Sequence, residues 1–245
     1  MIRQVAKQVL PARLRRWAWS KHLIAWPPVG RVRLGDLRRT SPISAQFGYD
    51  RGLPIDRYYI ERFLAAHASD VRGTTLEFKD SAYLDRFGGG TVTSIDILNV
   101  DESHPGTTIA GDLSKADGLP KDRFDCIICT GVIQLVDDLH AAAVNLHQML
   151  RVGGVLLATL PGITRIARDP DGRWEDRWRL TSSSARKLFE GVFGPQAVEV
   201  MWYGNPLVAV GFLTGLAASE LKPHELEARH PDFEVLIAIR AVRTS

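Results

Sequence analysis

The chain has 245 residues, 45% apolar and 24% charged, with a net charge of +3. That composition excludes a disordered chain, and only two cysteines exclude a disulfide scaffold and point to a reducing, cytoplasmic setting. Ten Lys/Arg fall within the first forty residues against one acid, Asp36, so the basic charge is local and the remainder is net acidic.

Residues 1–40 read as a basic N-terminal extension and residues 41–245 as the main domain. Trp17, Trp19 and Trp26 sit among Arg3, Lys7, Arg13, Arg15, Arg16 and Lys21. Two readings follow: a peripheral surface for an anionic membrane or a protein partner, or an extension whose tryptophans pack on the domain. Pro11, Pro27 and Pro28 prevent one long amphipathic helix, which favours the second. The first residues hold no uninterrupted apolar stretch, so no secretory signal is expected.

PIDRYYIERFLAA (54–66) predicts a helix, with Pro54 in its first turn and Ile55, Tyr58, Tyr59, Phe63 and Leu64 at helical spacing. TTLEF (74–78), TVTSIDIL (91–98), TTIAGDL (107–113) and the nearly all-apolar FDCIICTGVI (124–133) predict strands. Gly88, Gly89 and Gly90 are expected to turn into the second of them. Asp137 and Asp138 cap a helix over 139–150, Gly153 and Gly154 are expected to close it, and VLLATL (155–160) is the next buried strand. TSSSARKLFEGVF (181–193) predicts a helix, VEVMWY (198–203) and FEVLIAIRAV (233–242) strands. The uncharged run 200–219 contains Gly204, Asn205, Pro206, Gly211 and Gly215 and reads as strand, turn and helix, not a membrane span. This alternation predicts an α/β, doubly wound, Rossmann-like mixed sheet, mostly parallel with an antiparallel edge, and helices on both faces.

Ligands of such sheets bind at the carboxyl ends of the strands. Glu77 closes the first strand, Asp96 lies near the end of the second, Asp112 follows the third, and Thr130 and Gln134 end the fourth. An acid about 20 residues beyond the first strand suits a ribose, whose two hydroxyls one carboxylate can accept; an acid after the third can accept from an adenine amino group. Strand ends are also rich in Asp for turn-forming reasons alone. The first loop, Glu77-Phe78-Lys79-Asp80-Ser81-Ala82-Tyr83, lacks the glycines that bring backbone amides to a pyrophosphate, which argues against NAD, FAD and nucleoside triphosphates. S-adenosylmethionine carries no phosphate.

Here the sequence resembles the class I S-adenosylmethionine-dependent methyltransferases. The matching pieces are LEF with Glu77, SIDIL with Asp96, AGDL with Asp112, FDCIICTGVIQLVDD, and HQMLRVGGVLLATLPG, where Val152 replaces the usual proline. FGYDRGLPIDRYYIERFL, RWEDRWRLTSSSARKLF and WYGNPLVAVGFLTGLAASEL look like a bacterial subgroup met beside glycosyltransferase and polysaccharide genes. The resemblance implies that Glu77, with Lys79 and Ser81, holds the methionine end, Asp96 with Ile97 the ribose, Asp112 and Leu113 the adenine, and that Thr130 floors the donor. It implies O-methylation of a carbohydrate or other hydroxylated metabolite. The alternative is a degenerate methyltransferase fold that serves as a binding or scaffold protein, which the glycine-poor loop and basic extension suggest.

A hydroxyl acceptor needs a base or a positioning group. Asp56, Tyr59, Gln134 and Asp137 are the candidates, Gln134 as a positioner since an amide takes a proton poorly. Trp174, Asp176, Trp178 and Arg179 suit carbohydrate faces and hydroxyls, or a lid that simply packs. Asp137-Asp138-x-His140 reads as helix capping, so no metal is expected. Cys126 and Cys129, i and i+3 on a strand, face opposite sides and share neither a metal nor a disulfide. The basic charge lies in the extension and no N-P-P-[YF] motif follows the fourth strand, so no nucleic-acid partner is expected. The sequence leaves an oligomer open.

Overall fold

The computed structural model describes residues 11, 13–14, 16–17, 27–115 and 117–244. Of the basic extension, Arg3, Lys7, Arg15, Lys21, Trp19 and Trp26 lie outside the described residues, and so does the reading of that surface. The chain divides into two units, residues 1–41 and 42–245. Within the first, Gly35–Leu37 make a single 3-10 turn.

The second unit is built on seven strands: β1 (Gly73–Phe78), β2 (Val92–Asn99), β3 (Ile109–Ala110), β4 (Phe124–Thr130), β5 (Leu150–Pro161), β6 (Val198–Tyr203) and β7 (Leu236–Val242). Their order is β3-β2-β1-β4-β5-β7-β6. The first five are parallel. β7 runs antiparallel between β5 and β6. The order reverses between β1 and β4, which is where a crevice opens in a doubly wound sheet.

Among the described residues of this unit six helices flank the sheet: α1 (Ile55–Ala66), α2 (Ala82–Phe87), α3 (Leu139–Met149), α4 (Ser182–Phe193), α5 (Pro206–Thr214) and α6 (Pro223–Glu227). α3 and α4 cover one face, around Leu76, Ile127, Leu146 and Phe189. α1, α2, α5 and α6 cover the other, around Ile128, Phe63, Leu84 and Phe212. Both faces are covered, so β4 and β5 read as continuous apolar runs. Cys129 packs on the first face and Cys126 on the second, both free and buried.

Several helix ends follow their sequence signals. Asp138 accepts from the amides of His140 and Ala141 and caps α3. Thr181 and Ser184 form a reciprocal capping box at α4. Asn205 accepts from the amide of Val208 at α5.

Other expectations are corrected. Gly153 and Gly154 do not close α3, which stops at Met149 while Leu150 already pairs with Phe124. The two glycines lie inside β5, where the pairing jumps from Phe124–Leu150 to Cys126–Val155. Gly153 sits at φ +83°, and a Cβ on Gly154 would lie 2.7 Å from the Phe124 carbonyl. A bulge thus uses the glycines, not a helix terminus. TTIAGDL contributes only Ile109–Ala110 to the sheet. The residues after the first strand are not all loop, because α2 begins at Ala82.

Candidate active site at the carboxyl edge of the sheet

The carboxyl ends of β1, β2, β3 and β4 present Lys79, Asn99, Asp112 and the Thr130–Gly131 turn along one edge. Lys79 adopts φ +75°, the left-handed conformation that favours glycine. The tight turn of a glycine-rich loop is therefore formed here with a side chain in it. The Lys79 amide donates to the Leu98 carbonyl at 3.4 Å. The Lys79 carbonyl accepts from the Asn99 amide at 3.5 Å, which also donates to Thr107 Oγ1 at 2.9 Å.

Glu77 is buried at the end of β1. Its carboxylate accepts from the amides of Tyr83 (3.1 Å) and Leu84 (2.8 Å) and so anchors the start of α2. Burial pushes its carboxyl up to about 7; those two amides oppose the shift and the charges of Asp80 and Asp85 add to it. Ser81 Oγ donates to Asp85 Oδ2 at 2.8 Å. Asp112 accepts from the Ser114 amide at 2.8 Å and lies 3.4 Å from Lys115 Nζ. Ser114 Oγ in turn accepts from the Asp137 amide at 3.1 Å, which ties the loop after β3 to the loop after β4. Leu113 is buried, its carbonyl accepting from Asn145 Nδ2 at 2.8 Å.

Three sequence-named residues stand apart. Asp96 is paired with Leu76 in mid-sheet, below the end of β2. Its two oxygens are closed by Thr108 Oγ1 at 2.8 Å and Arg123 Nη2 at 2.6 Å. Asn99 ends the strand instead, and its Oδ1 accepts from nothing among the described residues. Tyr59 is 1% exposed, donates its hydroxyl to the Leu226 carbonyl at 2.7 Å and stacks on Tyr203. Asp137 points outward and pairs with Arg177 at 3.0 Å. Ile97 is buried beside Asp96, its amide donating to Thr108 Oγ1.

Arg57 and two tyrosines stand over this edge, which sequence reasoning did not single out as a group. Arg57 Nε donates to Tyr49 Oη at 3.0 Å and Nη1 to Tyr83 Oη at 2.9 Å. Asp56 accepts from the Arg57 amide at 2.8 Å, and burial raises its carboxyl above the ordinary aspartate range against the pull of Arg57. Gln134 holds a buried Oε1 with no partner. Its backbone carbonyl accepts from the amides of Arg177 and Trp178, and Trp178 Nε1 donates to the Val136 carbonyl at 2.7 Å. The segment 163–180 is thereby strapped across the β4 loop. Asp176 and Arg179 pair through two 2.6 Å contacts inside that strap. Burial pushes the Asp176 carboxyl up, but Arg179 and the Ala167 amide outweigh it and hold it below the usual range. Among the described residues no group of three or more His, Cys, Asp and Glu could hold a metal. No helix among them is long and apolar enough to cross a membrane.

These residues fit a phosphate-free adenosine donor. The β1 turn has its left-handed form, Asn99 brings an open acceptor and Asp112 a carboxylate held by Ser114 and Lys115 to adjacent strand ends, and Gln134 holds an unmet acceptor close to the turn after β4. Asp96 gives its oxygens to Thr108 and Arg123, and Glu77 gives its own to the Tyr83 and Leu84 amides.

The methyltransferase-domain family matches residues 78–158. No curated protein matches the chain by sequence. Among solved structures, a SAM-dependent methyltransferase from Archaeoglobus fulgidus is similar over 76% of this chain and 94% of its own, with a TM-score of 0.50 and 10% identity. The 1,6-didemethyltoxoflavin-N1-methyltransferase of Burkholderia thailandensis, solved with its substrate and S-adenosylhomocysteine, covers 76% and 77%, with a TM-score of 0.45 and 14% identity. The [4+2]-cyclase SpnF covers 75% and 81%, with a TM-score of 0.48 and 13% identity. Residues 78–158 are thus similar to a methyltransferase domain, and the sheet around them has the Rossmann-like methyltransferase fold.

Proposed function

We propose that this chain is an S-adenosylmethionine-dependent methyltransferase that methylates a hydroxyl of a carbohydrate or other hydroxylated metabolite. The observation that carries the choice of oxygen is Asp56. Its carboxyl is shielded from water beside Arg57, and burial raises its proton affinity. An alcohol is a poor nucleophile until a base takes its proton, and a carboxylate with a raised pKa is suited to that task. When bound, S-adenosylmethionine supplies a methyl group activated on a sulfonium. Asn99 and Asp112 hold the ribose and the adenine, Gln134 orients the acceptor, and Asp56 receives the acceptor's proton. Trp174 and Trp178, on the strap over the β4 loop, give a sugar ring apolar planes to lie on and exclude water.

Calorimetry with S-adenosylhomocysteine tests the donor half: binding is expected, and its absence from the folded protein ends the proposal. Mass spectrometry of glycan acceptors tests the second half, with a gain of one methyl group expected and lost in Asp56→Asn while S-adenosylhomocysteine still binds.

One observation favours a second reading, a methyltransferase fold kept as a binding protein: Glu77 and Asp96 are both committed to internal partners. Donor binding without turnover on any acceptor would support it.

A further inference from the structure

Arg57 is a half-buried, permanent cation whose side-chain hydrogen bonds among the described residues go only to neutral groups, the hydroxyls of Tyr49 and Tyr83. Two arginines of the neighbouring strap are paired with acids, Arg177 with Asp137 and Glu175 and Arg179 with Asp176, whereas Arg165 gives its guanidinium to the Ser44 and Ala45 carbonyls. Asp56, next in sequence, gives its carboxylate to the Arg57 backbone amide and forms no ion pair with the guanidinium. The Asp56 charge next to it favours the cation, but a shielded guanidinium edge left without an acceptor is unfavourable unless something completes it.

The third guanidinium nitrogen, Nη2, donates to nothing among the described residues. It borders Gly131 at the end of β4, where φ is +68°. A Cβ on Gly131 would lie 3.9 Å from both Arg57 Nη2 and Gln134 Nε2, so the missing side chain leaves a gap between two donors. Across that gap Gln134 also holds its buried, unpartnered Oε1. Two donors therefore face a space that no side chain fills, and the Gln134 amide that supplies one of them also carries an acceptor without a partner. A planar carboxylate satisfies both donors, and a hydroxyl beside it satisfies the Gln134 oxygen.

We infer that Arg57 and Gln134 form a carboxylate subsite for the acceptor, so that the methylated molecule is a hydroxy acid of the uronic-acid kind and not a neutral sugar. The inference rests on the proposed methyl transfer and adds the charge of its acceptor. The two tyrosine hydroxyls fix the guanidinium so that its free edge points at Gly131.

The test uses the full chain, first titrated with S-adenosylhomocysteine and then, once saturated, followed by NMR of the Arg57 Nε–H and Gln134 side-chain amide signals. Glycolate, which carries a carboxylate beside a hydroxyl, should shift both signals saturably, and ethylene glycol should shift neither. Arg57→Gln should weaken glycolate binding by about tenfold, and Arg57→Lys by less, while S-adenosylhomocysteine binds as before. Three outcomes overturn the inference alone: S-adenosylhomocysteine binds but glycolate shifts neither signal; glycolate binds Arg57→Gln as well as the parent; or Arg57→Gln weakens S-adenosylhomocysteine instead, which gives the cation to the donor's own carboxylate. Failure of S-adenosylhomocysteine to bind the parent protein overturns the methyl-transfer reading itself, and the inference with it.

Discussion

Lys79 is the residue at which the first loop departs most clearly from a glycine-rich turn. Its φ of +75° strains any side chain with a Cβ by roughly 1–2 kcal/mol, part of which glycine returns as extra freedom in the unfolded chain. Lys79→Gly should therefore stabilise the protein by about 1 kcal/mol in chemical unfolding; a loss of stability would show that the lysine side chain holds the turn. Tyr59 poses the opposite question, since its spacing suited a site and its environment is core. Tyr59→Phe leaves the Leu226 carbonyl without its donor and should lower stability by about 1–2 kcal/mol. Donor affinity should stay unchanged, and a selective loss of donor binding would return Tyr59 to the crevice.

At the scale of elements, β2 separates what the sequence carries from what it does not. The strand itself was legible, because VTSIDILN is β-rich and bounded by glycines and polar turn residues. Which residue of it reaches the edge was not, because register depends on pairing with β1 and β3, and those contacts lie outside any local window. A carboxylate in the expected interval drew attention to Asp96, whereas the pairing of Asn99 with Ala110 puts the amide at the top. The two variants should part company. Asp96→Ala strands the Arg123 charge and the Thr108 hydroxyl and should lower stability by roughly 1–3 kcal/mol. Asn99→Ala should leave stability nearly unchanged and weaken S-adenosylhomocysteine in calorimetry by about tenfold. The reverse pattern would restore Asp96 as the ribose contact. The same limit explains β5: the helix signal before Gly153 was genuine, but only its neighbour β4 reveals that the glycines serve a bulge. It explains Arg57 too, since Tyr49 and Tyr83, which fix it, come from separate segments.

For the whole molecule, stability against pH reports on the carboxyls that the sheet edge keeps from water. Burial raises Glu77 to about 7, well above the 4.5 of an unperturbed glutamate, so between those values the folded protein holds a proton that the unfolded chain has released. The unfolded state binds fewer protons there, and stability must fall as pH rises. The contribution is fully present below pH 4.5 and is gone once pH passes about 7. Asp56, raised by the same cause, acts in the same direction, while Asp176, held low by Arg179, acts only on the acid side, where its protonation removes stability as pH falls. Comparing Glu77→Gln with the parent isolates the first of these, because glutamine keeps an oxygen for the Tyr83 and Leu84 amides but carries no charge. The stability difference between the two proteins should change in favour of Glu77→Gln by about 3 kcal/mol between pH 4.5 and pH 8, and stay flat above and below that window. A pH-independent difference would mean that Glu77 titrates as it does in the unfolded chain and is ionised at neutral pH, with the α2 amides cancelling its burial. The fold would then meet the start of α2 with a full carboxylate charge, and the buried side of the candidate crevice would be one unit more negative than the raised pKa implies.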